Sequence, residues 1–244
     1  MLGYCTNVHP GRTLDEIKAR LDEHAVGVRE RVCPDDELGL GLWLPASVAR
    51  GLAESPGEID ALRLWLEARG LFCFGLNGFP YGDFHAEVVK KDVYRPDWTE
   101  GARTRYTRDC GRVLRRLAPG DIERPTVTTL PLGWGDAVPS PSEAVERLVS
   151  VSGELFEMGV ELCVEPEPGC VLERSDGVVA LLSGREFVGG EVMSVCHDVC
   201  HAAVMGEDQR SCLSAYAGTG LGVPRVQLSS CPVVRGGPGA LGMF

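Results

Sequence analysis

A chain of 244 residues, 44% hydrophobic and 24% charged, is long enough for one large domain or two small ones around a sizeable core, and is not a solvated disordered chain. Its 31 glycines and 16 prolines show no collagen period and read as many tight loops. The net charge of −11 argues against a broad nucleic-acid or anionic-membrane surface, since both call for fields of Lys and Arg.

The N-terminus, MLGYCTNVHPGRTLDE, has no basic segment leading into an apolar one, and no run approaches about 18 apolar residues. The expectation is a cytoplasmic chain with no membrane insertion and no nucleic-acid partner. The ten cysteines, spread from Cys5 to Cys231, fit reduced thiols, because most lie inside apolar runs such as LFCFGL and VELCVE.

Short apolar runs alternate with segments of helical spacing. The first strand is predicted over 2–9 (LGYCTNVH), before a helix capped by Thr13 with Glu16 three residues on. The second covers 37–45 (ELGLGLWLP) and leads to a helix through ALRLWLEARG that Gly70 ends. The third covers 71–80, followed by a polar loop and a helix over 98–118. Strands over 126–133, 160–168 and 190–202 follow, with helices after SPSEAV, over 175–183 and over 207–218, and a seventh strand covers 223–232.

Seven β/α units of about 35 residues are the spacing of parallel strands joined by helical crossovers in one domain over 1–244. The strand runs are apolar throughout, as strands covered on both faces are. Strand one lacks a Gly-rich phosphate turn and ends instead in TNVHPGRT, which favours a TIM-type (β/α) barrel over a doubly wound sheet. A closed barrel of this kind has eight strands, yet the tail VVRGGPGALGMF is too short and glycine-rich for a helix and a strand. The barrel is therefore expected to be open or truncated, with strands one and seven unpaired and the tail covering little of the gap.

Polar residues gather at the predicted strand ends, where such a barrel carries its chemistry. They are Asn7 and His9, Asn77 and His85, Glu165 and Glu167, His197, Asp198 and His201, and Gln227; His24 alone of the five histidines lies on a predicted helix. In CHDVCHAA, Asp198 and His201 are three apart where a strand gives way to a turn, so carboxylate and imidazole can reach one divalent ion, with Glu165 as third ligand. Zinc, manganese or iron suits that set. Two other readings stay open: Asp198 as a helix cap with His201 packed on it, and a structural zinc site using Cys196 and Cys200, for which no second ligand pair is visible. Cys200 as a nucleophile has no distinctive motif behind it. Phe79, Tyr81 and Phe84 offer apolar walls for a ligand, and Lys90, Lys91 and Arg95 could meet a phosphate or carboxylate.

The segments YCTNVHPGRT, LNGFPYGDFH, VYRPDW, EPEPGCVLE, HDVCHAA and RVQLSS, in this order, closely resemble the xylose isomerase-like TIM-barrel proteins of the metabolite-traffic EboE group. The wider superfamily includes sugar isomerases, epimerases and endonuclease IV-type DNA repair enzymes, and holds a divalent metal with a Glu after strand five and a D-x-x-H after strand six. The resemblance thus implies metal at Glu165, Asp198 and His201, with Glu165 and His201 catalytic. Asn7, His9, Asn77, Tyr81, His85 and Gln227 are then expected to bind a small-molecule metabolite. The implied role is handling of a secondary metabolite, with isomerase or epimerase chemistry or, alternatively, non-catalytic carriage; DNA repair is disfavoured by charge. Gln227 stands where the superfamily commonly has a His, the Glu of strand eight is missing, and the EboE proteins continue past VQLSS.

Overall fold

The computed structural model describes residues 2–82, 90–182 and 194–230. His85, Phe84, the start of the expected sixth strand and the C-terminal tail lie outside the described residues, as do the side chains of Lys90 and Lys91.

Seven strands run parallel in a sheet whose spatial order is their sequence order: β1 (Gly3–Cys5), β2 (Leu38–Leu42), β3 (Leu71–Asn77), β4 (Thr126–Thr129), β5 (Glu161–Val164), β6 (Ser194–Asp198) and β7 (Gly222–Gln227). Each pairs with the next, from Gly3 opposite Gly39 to Asp198 opposite Gln227. Among the described residues β1 and β7 pair with nothing on their outer sides, so the barrel is open between them, as the strand count predicts.

The helices between the strands are α1 (Leu14–Arg20) and α2 (Val26–Val32), joined by a π-helical turn at Leu21–Ala25, then α3 (Ala46–Glu54), α4 (Pro56–Glu67), α5 (Gly101–Leu117), α6 (Pro141–Glu157), α7 (Ser175–Leu182), α8 (Val199–Val204) and α9 (Gln209–Gly218). Their starts are legible. Thr13 Oγ1 accepts from Glu16 N at 3.2 Å while Glu16 Oε2 accepts from Arg12 N at 2.7 Å, and Asp208 caps α9 through Ser211 N. Gly70 takes φ +64° after α4, a conformation costly for any residue with a Cβ.

Three elements differ from expectation. The strand expected over 190–202 ends at Asp198, whose side chain caps α8 instead. The β2–β3 connection holds two helices, because Pro56 starts a new one directly after α3. Strand one is shorter than the apolar run: Thr6–Val8 turns into a 3-10 helix and Thr6 Oγ1 accepts the Trp43 amide at 2.9 Å.

The core lies between sheet and helices, where Leu40, Leu42, Val127, Leu162 and Val195 meet Leu52, Leu62, Leu114 and Leu148. The barrel interior is more polar. Gly41 and Gly75 leave room there for Arg225 of β7: a Cβ at either would come within 2.5 Å of its Nη2 or 2.9 Å of its Nη1. Pro224 is tolerated in β7 because it falls where the pairing register to β6 shifts and on the sheet's edge.

Candidate metal and substrate site

The sheet's parallel direction brings the C-terminal ends of β5, β6 and β7 side by side. Glu165 follows β5 directly, and its amide is fixed by the Thr129 carbonyl at 3.0 Å. In extended backbone residues two apart share a face, so EPEP sends Glu165 and Glu167 the same way. Across from them His201 sits on the first turn of α8.

Glu165, Glu167 and His201 each offer a ligand atom, and these atoms all lie within 4.8 Å of one another. His201 Nδ1 is 2.8 Å from the Pro166 carbonyl, which can only accept, so Nδ1 carries the hydrogen. That leaves Nε2 turned to Glu167 Oε2 at 3.1 Å and Asp198 Oδ2 at 3.9 Å. Facing a carboxylate, Nε2 must hold either a proton or a cation. Backbone orientation of the far ring nitrogen is how proteins prepare an imidazole for a metal.

Electrostatics agree with that geometry. Burial pushes the Glu165 carboxyl, 5% exposed, up to about 7; His201 opposes the shift, and Asp198 and Glu167 add to it. Glu167 is raised chiefly by burial as well. Burial works against a charged His201, but Glu167, Asp198 and Glu165 outweigh it and its pKa is raised. Two carboxylates and an imidazole crowded in this way fit a divalent cation, which would relieve their repulsion.

Asp198 does two things. Its Oδ1 accepts from Cys200 N at 2.7 Å, His201 N at 3.0 Å and the Ser229 hydroxyl, capping α8, while Oδ2 has no hydrogen bond among the described residues. The cap and the place beside the site are thus compatible. Gln227 Nε2 donates to Glu165 Oε1 at 2.6 Å, and the Tyr94 hydroxyl donates to Glu167 Oε1 at 3.2 Å.

An open cavity of about 1150 Å³ occupies the barrel interior, lined by Glu165, Glu167, Asp198 and His201 and also by Asn7, Asn77 and Gln227. Phe79 and Tyr94 form an aromatic wall, edge to face with centroids 5.8 Å apart. His9 and Tyr81 are not in that lining. His9 takes the Tyr4 hydroxyl at 2.6 Å and stacks on His24 at 4.1 Å, while Tyr81 leans on Tyr106. His197 faces away to Gln209 Oε1 at 2.6 Å. Among the described residues the candidate metal cluster contains no cysteine, and burial raises Cys196 well above the usual thiol range.

Sequence reasoning had named neither Tyr94 nor Arg225 and had put Glu167 outside the ligand set. The EPEP spacing was the available signal for Glu167. Nothing in VPRVQLSS distinguished an interior arginine from a solvated one.

The seven parallel strands, with helices between them, form an open TIM-type (β/α) barrel among the described residues. No protein-family model and no curated protein sequence matches the chain. Solved structures do. One described as L-ribulose 3-epimerase is 17% identical, with a TM-score of 0.60 over 92% of this chain and 68% of that one. A D-tagatose 3-epimerase-like protein is 13% identical, with a TM-score of 0.56 over 92% and 75%. A xylose isomerase-like TIM barrel protein from Mycobacterium smegmatis, in complex with magnesium, is 17% identical, with a TM-score of 0.55 over 89% and 71%. At such identities the likeness speaks for the fold. No helix among the described residues is long and apolar enough to cross a membrane.

Proposed function

We propose that this protein binds a small hydroxylated metabolite over a divalent metal and acts on it by isomerase- or epimerase-type proton transfer. The carrying observation is the convergence of Glu165, Glu167 and His201 at the strand ends, with His201 oriented through Pro166. These three would hold the ion, with Asp198 Oδ2 beside them. A divalent ion held there would supply polarisation of the substrate's carbonyl and hydroxyl oxygens. A Glu165 oxygen that the ion leaves free would serve proton transfer at the carbon next to a carbonyl, and His201 would act through the ion it holds. Asn7, Asn77 and Gln227 line the cavity where hydroxyls would sit.

Manganese or magnesium fits two carboxylates and an imidazole as well as zinc or iron does, and the magnesium-bound neighbour supports that widening. The motif resemblance to the EboE group supports secondary-metabolite handling as the setting. No disulfide joins any two of the nine described cysteines, which favours a reducing cytoplasm.

Carriage without turnover is favoured by one observation: among the described residues β1 and β7 leave one side of the barrel unpaired. Incubating the Mn²⁺-loaded protein with ketoses in D₂O separates the two. Deuterium entering beside the carbonyl, and lost in Glu165→Gln, supports the enzyme; sugar binding with no exchange supports the carrier, and neither binding nor exchange contradicts both.

A further inference from the structure

Arg225 is 5% exposed and reaches from β7 across the barrel to the opposite wall. Its Nη2 donates to Asn77 Oδ1 and lies 3.7 Å from Cys5 Sγ, its Nη1 donates to the Leu76 carbonyl at 3.4 Å, and the guanidinium stands 5.4 Å from the centre of the Phe74 ring. None of these partners is a carboxylate. Among the described residues Arg225 has no carboxylate within ion-pairing distance, and its Nε has no partner.

A guanidinium cannot shed its charge, and arginine is seldom buried this far without a paired counter-charge; Glu165 feels the Arg225 charge, which works against the rise in its pKa, but forms no ion pair with it. Gly41 and Gly75 keep the space it occupies clear, and it borders the same cavity as Glu165 and His201. The planar fork matches two oxygens of a carboxylate or phosphate, a geometry that an ammonium does not supply. A filler of interior volume would not need a fixed charge on a cavity wall.

We propose that Arg225 is a specificity-determining residue that makes the metabolite an anionic polyol, with a carboxylate or phosphate at the guanidinium and hydroxyls at the Glu165–Glu167–His201 end. The placement of the hydroxyls rests on the metal-site reading; the choice of an anion rests on Arg225 alone.

Calorimetry on the full chain loaded with Mn²⁺, using D-glucitol, D-gluconate and D-glucitol 6-phosphate, tests this. At least one anionic probe should bind about tenfold or more tightly than glucitol, and which one does so identifies the acid. Arg225→Gln should bring that probe to the level of glucitol while Mn²⁺ affinity stays within about twofold, which also shows that the variant is folded. If the glutamine variant does not fold, Arg225→Lys decides: losing the fork should cost about threefold or more of the preference, and an unchanged preference overturns the proposal. Equal binding of glucitol and both anions, no binding of either anion, or a preference that survives Arg225→Gln overturns it too. Failure to hold Mn²⁺ together with an Arg225-dependent preference would instead defeat the metal reading and leave this one standing.

Discussion

Among the described residues two arginines are buried, Arg103 and Arg225, and their surroundings differ. Arg103, on α5, is fully buried: its Nε donates to the Pro96 carbonyl and its Nη1 to those of Gly78 and Phe79, each at 2.9 Å, its Nη2 has no hydrogen-bond partner among the described residues, and the rings of Tyr81 and Tyr106 lie 5.9 and 5.6 Å away. Burial lowers its pKa to about 10. It closes the loop after β3 onto the helix layer, a region that also buries Trp43 and Trp98. Arg225 is rooted in β7, at the edge of the sheet, where Leu2 and Leu228 are 72% and 76% exposed beside strand edges unpaired among the described residues, and its guanidinium borders the cavity against Leu76 and Asn77. The same side chain is a brace where three carbonyls surround it and a recognition group where a cavity does.

The largest expected effect breaks that contrast if it fails. Arg103→Gln strands three loop carbonyls and should cost ~3 kcal/mol or more in urea unfolding. Arg225→Gln removes a charge that no carboxylate pairs and should stay within ~1 kcal/mol of the parent. Equal destabilisation by the two would make Arg225 a second brace.

Gln227→Leu sharpens the open side. Removing the amide that donates to Glu165 Oε1 should weaken Mn²⁺ binding by about tenfold, as loss of a group orienting a metal ligand does, with little change in unfolding. Unaltered affinity in a Mn²⁺ titration would separate Gln227 from the site. A smaller effect still is expected at the edge: Leu228→Lys should change stability by no more than ~0.5 kcal/mol. A loss well above that would reveal that β7 is covered in solution.

Much of the architecture was legible because β/α rhythm, caps and breakers are local. Thr13 with Glu16, Gly70 and Asp208 each act within a few residues, and the count of seven strands already implied the gap. The site was legible in part for the same reason. Asp198 and His201 are three apart on one turn, and Glu165 and Glu167 are two apart in extended chain. What stayed hidden depends on contacts between distant segments. His9 looked like a site residue from its place at a strand end, yet the 3-10 turn at Thr6–Val8 leads it to Tyr4 and His24. Tyr94 reaches Glu167 over 73 positions and Arg225 reaches Asn77 over 148, separations at which no periodicity carries a signal.

The central claim is that Glu165, Glu167 and His201 form one metal centre at the strand ends of an open barrel. Locating the ion by anomalous scattering in Mn²⁺-soaked crystals of the parent protein and of Glu165→Gln tests it most directly. The account predicts one strong peak in the parent, within about 2.5 Å of both glutamate carboxylates and of His201 Nε2, and none in the variant. A peak at Cys196 and Cys200, a peak in the variant equal to that in the parent, or no ordered ion in the parent would contradict it.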